Sequence, residues 1–151
     1  MKKIWYAPNK LEAYGEAEIK AVEECLRDGW LAGFGPRSVE FEEKIAKEFG
    51  KKYGVFVNSG SSACLLALAA LDLTKGCKII TPALTFSTTL APIIQLGFVP
   101  IFVDSGLTSY VPTVKDMLDA ITQDTEAIML PNLIGNKSDF KALKAGLVTL
   151  G

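Results

Sequence analysis

The chain has 151 residues, is 49% hydrophobic and 22% charged, and carries a formal net charge of −1, which is the profile of a globular domain long enough to bury a real core. Acidic and basic residues are mixed along it, so no basic stripe can follow a phosphate backbone and nucleic acid is not expected as a partner. Histidine is absent, which excludes Ser-His-Asp and Cys-His catalysis and nearly all zinc hydrolase designs; an enzyme built on this chain would need a cofactor, a lysine or carboxylates.

In chain order, Met1-Lys2-Lys3-Ile4-Trp5-Tyr6 turns polar too soon for a signal peptide. No apolar run, Cys64–Leu71 included, approaches the ~20 residues of a membrane span. A cytoplasmic location with no membrane contact is the expectation. Tyr14 to Asp28 predicts a helix, because Ile19, Val22, Cys25 and Leu26 recur at three-to-four spacing, and Gly29 ends it. Trp30-Leu31-Ala32-Gly33-Phe34-Gly35 is a glycine-rich loop. Pro36 suits the first turn of a second helix, with Phe41, Ile45 and Phe49 on one face and a stop at Gly50.

The pattern then changes. Tyr53–Val57 reads as a short apolar strand, Asn58–Ser62 as a turn and Ala63–Leu73 as an Ala/Leu-rich helix. Lys78–Thr81 is a strand closed by Pro82, and Ser87–Leu96 a helix made irregular at its start by Pro92. Val99–Val103 is a strand ending at Asp104, and Val114–Ile121 a helix with Thr113 as N-cap. Glu126–Leu130 is a strand ended by Pro131, Asp139–Lys144 a short helix, and Leu147–Leu150 the start of another strand. The strands are continuous apolar runs alternating with helices, which predicts a mainly parallel sheet buried on both faces. Cys25, Cys64 and Cys77 are odd in number with no C-x-x-C pair, so a disulfide framework is not expected and Cys25 and Cys64 read as small core residues.

Asn58-Ser59-Gly60-Ser61-Ser62 follows a strand and opens a helix. Open α/β sheets bind ligands at the carboxyl ends of their strands, and a helix start offers free N–H groups and a positive dipole end to a phosphate. The alternative is a plain capped turn. No G-x-x-x-x-G-K-[ST] occurs, and Gly33-Phe34-Gly35 lacks both a third glycine and a preceding strand, so a P-loop and a dinucleotide fingerprint are excluded. Thr85-Phe86-Ser87-Thr88-Thr89 follows the next strand and would emerge on the same edge, where Phe86 could offer a flat face to a planar cofactor or pack in the core. Asn136-Lys137-Ser138-Asp139 matches the guanine motif of GTPases by chance, and Asp139 is better read as a helix start. Asp104, an acid at a strand end, is open to either reading.

The series Gly29-Trp30-Leu31, Gly35-Pro36, Phe41-Glu42, Val57-Asn58-Ser59-Gly60-Ser61-Ser62-Ala63, Ile80-Thr81-Pro82-Ala83-Leu84-Thr85-Phe86, Pro100-Ile101-Phe102-Val103-Asp104 and Ala127–Pro131 before Gly135 resembles the DegT/DnrJ/StrS family of nucleotide-sugar aminotransferases. The resemblance runs from about Gly29 to Leu143. It implies a three-layer α/β/α fold with a mainly parallel central sheet, the large domain of a type I, aspartate aminotransferase-like transferase. It also implies a pyridoxal 5'-phosphate or pyridoxamine 5'-phosphate cofactor, a nucleotide-sugar substrate and a homodimer with shared sites. On this resemblance Gly60, Ser61 and Ser62 would hold the cofactor phosphate, Phe86 would stack on its ring, and Trp30, Gly33 and Phe34 would lie beside the substrate. Residues 1–52 would form an N-terminal helical segment with the substrate-side loop, and residues 53–151 a partial cofactor-binding large domain, in one continuous structural unit.

Phe86–Thr89 with Pro92–Gln95, and Pro131-Asn132-Leu133-Ile134-Gly135-Asn136, look more like the sugar 3-dehydratase branch than the aminotransferases. Family members are more than twice this length. The acid that pairs with the ring nitrogen and the Schiff-base lysine, or the histidine replacing it, follow the position of Val148. The expectation is therefore a truncated, inactive portion of an enzyme of polysaccharide or deoxysugar synthesis; the alternative is a non-catalytic phosphate-binding or dimerisation module.

Overall fold

The computed structural model describes residues 13–30 and 32–150; Met1–Tyr6 and Leu31 lie outside them. The chain divides into two compact units, Met1–Phe56 and Val57–Gly151.

The first unit holds two amphipathic helices, α1 (Glu16–Asp28) and α2 (Pro36–Glu48). At the start of α1 the Glu18 carboxylate reaches back to accept from the Gly15 N–H at 2.7 Å, and this bond holds its pKa below the ordinary value. Gly29 ends the helix at φ 72°, a left-handed conformation that costs glycine nothing. Pro36 opens α2, where its missing N–H is no loss. Arg37 bridges back to Glu24 at 3.2 Å and Asp28 at 3.9 Å, a link between half-exposed groups that contributes little by itself. The apolar stripe of α1 lies uncovered among the described residues: Val22 is 60% and Leu26 63% exposed.

Tyr53–Val57, expected as a strand, joins no sheet. A strand forms only where a neighbour offers main-chain partners, and this segment is engaged otherwise. The Phe56 N–H donates to the Glu42 carboxylate at 2.7 Å, and the Phe56 ring meets Phe41 edge-on at 5.2 Å. Gly54 lies so close to α2 that an added Cβ would sit 2.4 Å from the Glu42 carbonyl oxygen. Main-chain atoms cannot step aside as a side chain can. Gly54→Ala is therefore expected to destabilise this unit by about 2–3 kcal/mol, the cost of overpacking against a fixed wall, read as a lower urea midpoint by Trp30 fluorescence.

The second unit contains α3 (Gly60–Ala69), β1 (Lys78–Pro82), α4 (Ser87–Gln95), β2 (Val99–Val103), α5 (Val114–Asp119), β3 (Thr125–Ile128), a 3₁₀ turn (Leu133–Gly135) and α6 (Phe140–Leu150). The strands are parallel in the order β2-β1-β3. Side chains alternate across the central strand, and this builds the layers. Ile79 packs with Leu68 of α3 and Ile93 of α4 on one face. Ile80 packs with Met117 of α5 and Leu143 of α6 on the other. The result is a three-layer α/β/α sandwich. Burial on both faces holds for β1 alone; β2, at an edge, leaves Val99 45% and Phe102 53% exposed.

Several boundaries differ from expectation: α3 ends at Ala69 and not Leu73, and β3 is Thr125–Ile128 and not Glu126–Leu130. Gly60-Ser61-Ser62 form the first turn of α3 and not a loop before it. Pro92 sits buried inside α4 without disturbing its start. Leu147–Leu150 is not a strand but the end of α6, where the Thr149 hydroxyl donates to the Ala145 carbonyl at 3.0 Å and Leu143 faces the core. Caps agree with the local chemistry: the Thr113 hydroxyl accepts from the Asp116 N–H at 3.1 Å, and the Asp139 carboxylate from the Ala142 N–H at 2.9 Å. The register of β3 slips between Lys78 and Ile79, past Glu126. The Glu126 side chain accepts from the Thr74 N–H at 2.9 Å, and its bonds to Thr74 lower its pKa. Burial, with Glu126 beside it, pushes the Cys77 thiol up, so Cys77 is an inert core residue.

Candidate functional site

Parallel strands point their carboxyl ends one way, and helices that run back against them start at that same edge. In the second unit α3 and α4 lie side by side, with their first turns together. A cleft of about 270 Å³ separates them, with Ser61, Ser62 and Leu65 on one wall and Thr88, Pro92 and Gln95 on the other. The opposing residues of α4 recur at helical spacing, a signal present in the sequence. The place of Gln95, the last residue of α4, in the cleft went unread because it depends on which face of α4 meets α3.

The hydrogen bonds sort the residues of the α3 turn. Ser59 caps the helix, its hydroxyl accepting from the Ser62 N–H at 3.1 Å. The Ser62 hydroxyl donates to the Asn58 side-chain oxygen at 2.7 Å, and the first helical bond runs from the Ala63 N–H to the Ser59 carbonyl at 3.0 Å. Ser62 is thus engaged in building the turn. The N–H groups of Gly60 and Ser61 and the Ser61 hydroxyl have no partner among the described residues. A Cβ added at Gly60 would meet open space, so the approach to these N–H groups is clear. No charged side chain lines the cleft. Its positive side is the start of α3, where Ser61 and Ser62 line it.

Phe86 occupies the N-cap position of α4 and is 71% exposed; it stands at the same edge as Ser61 but does not line the cleft between the helices. The Thr85 hydroxyl donates to that of Thr89 at 2.8 Å, which fixes the turn beneath it. Two further hydroxyls belong to this edge. The Oγ1 of Thr81, near the end of β1, and the Oγ of Ser105, just beyond β2, are buried and unpartnered. Asp104 accepts from the Ser105 N–H at 2.8 Å and stays exposed. Lys137, Lys141 and Lys144 are exposed around the start of α6 and none lines the cleft. No group of metal-ligating side chains forms among the described residues. Among the described residues no carboxylate, lysine or cysteine lines the cleft between α3 and α4.

The loop carrying Trp30, Gly33 and Phe34, expected beside the substrate, belongs to the first unit. Phe34 projects with 89% of its surface exposed, and Trp30 is 57% exposed. A Cβ at Gly33 would meet nothing. Trp30 borders a cleft of about 340 Å³ with Cys25, Asp28, Arg37 and Ser38. No described helix is long and apolar enough to cross a membrane.

Residues 12–146 match the model of the DegT/DnrJ/EryC1/StrS aminotransferase family. The GDP-4-keto-6-deoxy-D-mannose 3-dehydratase of Escherichia coli O55:H7 is 37% identical over 139 residues, spanning 88% of this chain and 36% of that protein. The spore coat polysaccharide biosynthesis protein SpsC of Bacillus subtilis is 37% identical over 145 residues, spanning 95% and 37%. The solved E. coli GDP-4-keto-6-deoxy-D-mannose-3-dehydratase with bound hydrated PLP superposes with a TM-score of 0.83 at 35% identity, over 91% of this chain and 36% of that one. The chain therefore spans little more than a third of the relatives it matches.

Proposed function

Because the chain belongs to the DegT/DnrJ/EryC1/StrS aminotransferase family, we propose that it is the N-terminal portion of a cytoplasmic enzyme that uses pyridoxal phosphate or pyridoxamine phosphate on a nucleotide-linked keto-sugar. The observation that carries this reading is the pair of unpartnered N–H groups at Gly60 and Ser61, with a free hydroxyl, beside the start of α4. That set suits a doubly charged phosphate ester, which a helix start and short donors favour. Gly60 and Ser61 bind the ester directly, Ser62 and Ser59 hold the turn rigid, and Phe86 offers its exposed ring to the flat face of the cofactor. The cofactor supplies an electron sink to the reacting carbon. Trp30, Gly33 and Phe34 serve the sugar nucleotide.

Removal of the sugar 3-hydroxyl fits better than transfer of an amino group. Pro131–Asn136 resembles the dehydratase branch, and a 37% identical relative is named for that reaction on a GDP-linked sugar. The residues that would act on the substrate, the ring-nitrogen acid and the lysine or its replacement, have no counterpart within these 151. Binding without turnover is the expectation. Pyridoxal phosphate should bind the chain in competition with inorganic phosphate, and borohydride should trap no adduct at any single lysine. Stoichiometric labelling of one lysine would overturn the reading.

A second reading, a module that pairs with another copy or with a longer relative, is favoured by the outer side of β3 and α6. There Phe140, Leu147 and Val148 are 48%, 41% and 76% exposed beside an unpaired strand edge, a combination that invites association. Sedimentation would decide: a monodisperse monomer at high concentration argues against it.

A further inference from the structure

Gly35 is buried and forms the N-cap of α2, its carbonyl accepting from the Ser38 and Val39 N–H groups at 3.0 and 3.2 Å. Its dihedral angles, φ −74° and ψ 163°, are open to any residue. The backbone therefore does not ask for glycine, and at an N-cap Ser, Asp or Asn would serve better by accepting from the helix N–H groups. The demand comes from Trp30. A Cβ added at position 35 would lie 2.5 Å from Trp30 Cδ1, 3.0 Å from Nε1 and 3.3 Å from Cγ. Gly33, in the same loop, has open space where its Cβ would be.

We infer that Gly35 is a positioning residue: it lacks a side chain so that the indole of Trp30 can lie against the start of α2 and present its exposed part to a ligand. This rests on the substrate-side reading of Trp30. Cδ1, Nε1 and Cγ all belong to the five-membered ring of the indole, so that ring is the neighbour of Gly35, and Asp28, Arg37 and Ser38 border the same cleft. Arg37 is tied to Glu24 and Asp28. An aromatic face held in this way suits a flat or apolar ring of a nucleotide-linked sugar. Any side chain at position 35 displaces the indole, because a ring in a loop yields more readily than a helix end.

The test uses the full chain with Trp5→Phe, which leaves Trp30 as the single tryptophan. Gly35→Ala should red-shift Trp30 emission and raise its acrylamide quenching, while far-UV circular dichroism is unchanged and Glu43→Ala, an exposed position of α2 outside the cleft, leaves both optical readings at the parent values. GDP is the probe for the ligand. It should quench Trp30 in the parent, and Gly35→Ala should weaken that binding about tenfold, the scale of one lost aromatic contact. The inference is overturned if Gly35→Ala leaves emission and quenching as in the parent, or if Glu43→Ala moves them equally. An indole that shifts in Gly35→Ala but ignores GDP in the parent keeps the seating of Trp30 and removes the substrate-side assignment instead.

Discussion

Replacing Ile80 by alanine is expected to lower the stability of the second unit by about 2–5 kcal/mol, the range for deleting a buried branched side chain. Ile80 is fully buried in the central strand and is the meeting point of β1, β2, α5 and α6 through Val103, Met117 and Leu143. No surface stands ready to collapse into the space it leaves, because rigid elements flank it on every side. A domain of this size has about 5–15 kcal/mol of stability in all, so the variant should unfold at markedly lower urea and in part at ambient temperature. Ile94, on the outer side of α4 and 59% exposed, is the contrast. Its replacement by alanine should fall within about 0.5 kcal/mol of the parent. Equal effects of the two substitutions in urea titrations would mean that the layers are not stacked as described.

Gly60→Asp should remove phosphate binding and leave the fold intact. The position is the first of α3, where a carboxylate is favoured by the helix dipole. A side chain there meets open space, so no packing is lost. What changes is the field at the two free N–H groups. A carboxylate within a few ångströms of a dianionic ester, in the partly screened setting of a surface cleft, costs roughly 3 kcal/mol, or about a hundredfold in affinity. Titration with pyridoxal phosphate and with inorganic phosphate reads the effect directly, and the urea midpoint serves as the control. Unweakened binding of both would place the anion somewhere other than the α3 turn.

The two substitutions probe different levels of the same arrangement. Ile80 anchors the strand whose carboxyl end sets the edge, and Gly60 lies where a helix begins at that edge. Their independence follows from the architecture. Core positions decide whether the edge exists, whereas the residues at it are exposed and carry little of the stability. The same division explains why Ser62 differs from Ser61 despite their adjacency. The Ser62 N–H and hydroxyl are held by Ser59 and Asn58, so its replacement should disturb the turn, while Ser61 is free to serve a ligand.

Local order in the sequence determined much of this protein. Apolar periodicity located α1 and α2, and Gly29, Pro36, Thr113 and Asp139 marked helix ends through the chemistry of caps and turns. The run Lys78–Thr81 declared a strand closed by Pro82, and the continuous apolar runs declared a sheet covered by helices. The ordered motifs from Gly29 to Gly135 also carried the family. These features are legible because each depends on neighbours within a few residues.

What only the tertiary structure decided depends on partners distant in the chain. Tyr53–Val57 has the composition of a strand, yet its amide at Phe56 is taken by Glu42 and Gly54 lies against the α2 backbone. Leu147–Leu150 has the same apolar character and continues α6, because Leu143 already orients that helix against Met117 and Ile80. Composition gives a segment its capacity for burial, whereas its conformation follows from where the unmet N–H and C=O groups and the apolar surface of other elements lie. The same holds for Gly35, whose glycine is required by the ring of Trp30 across the loop and by nothing in its own dihedral angles.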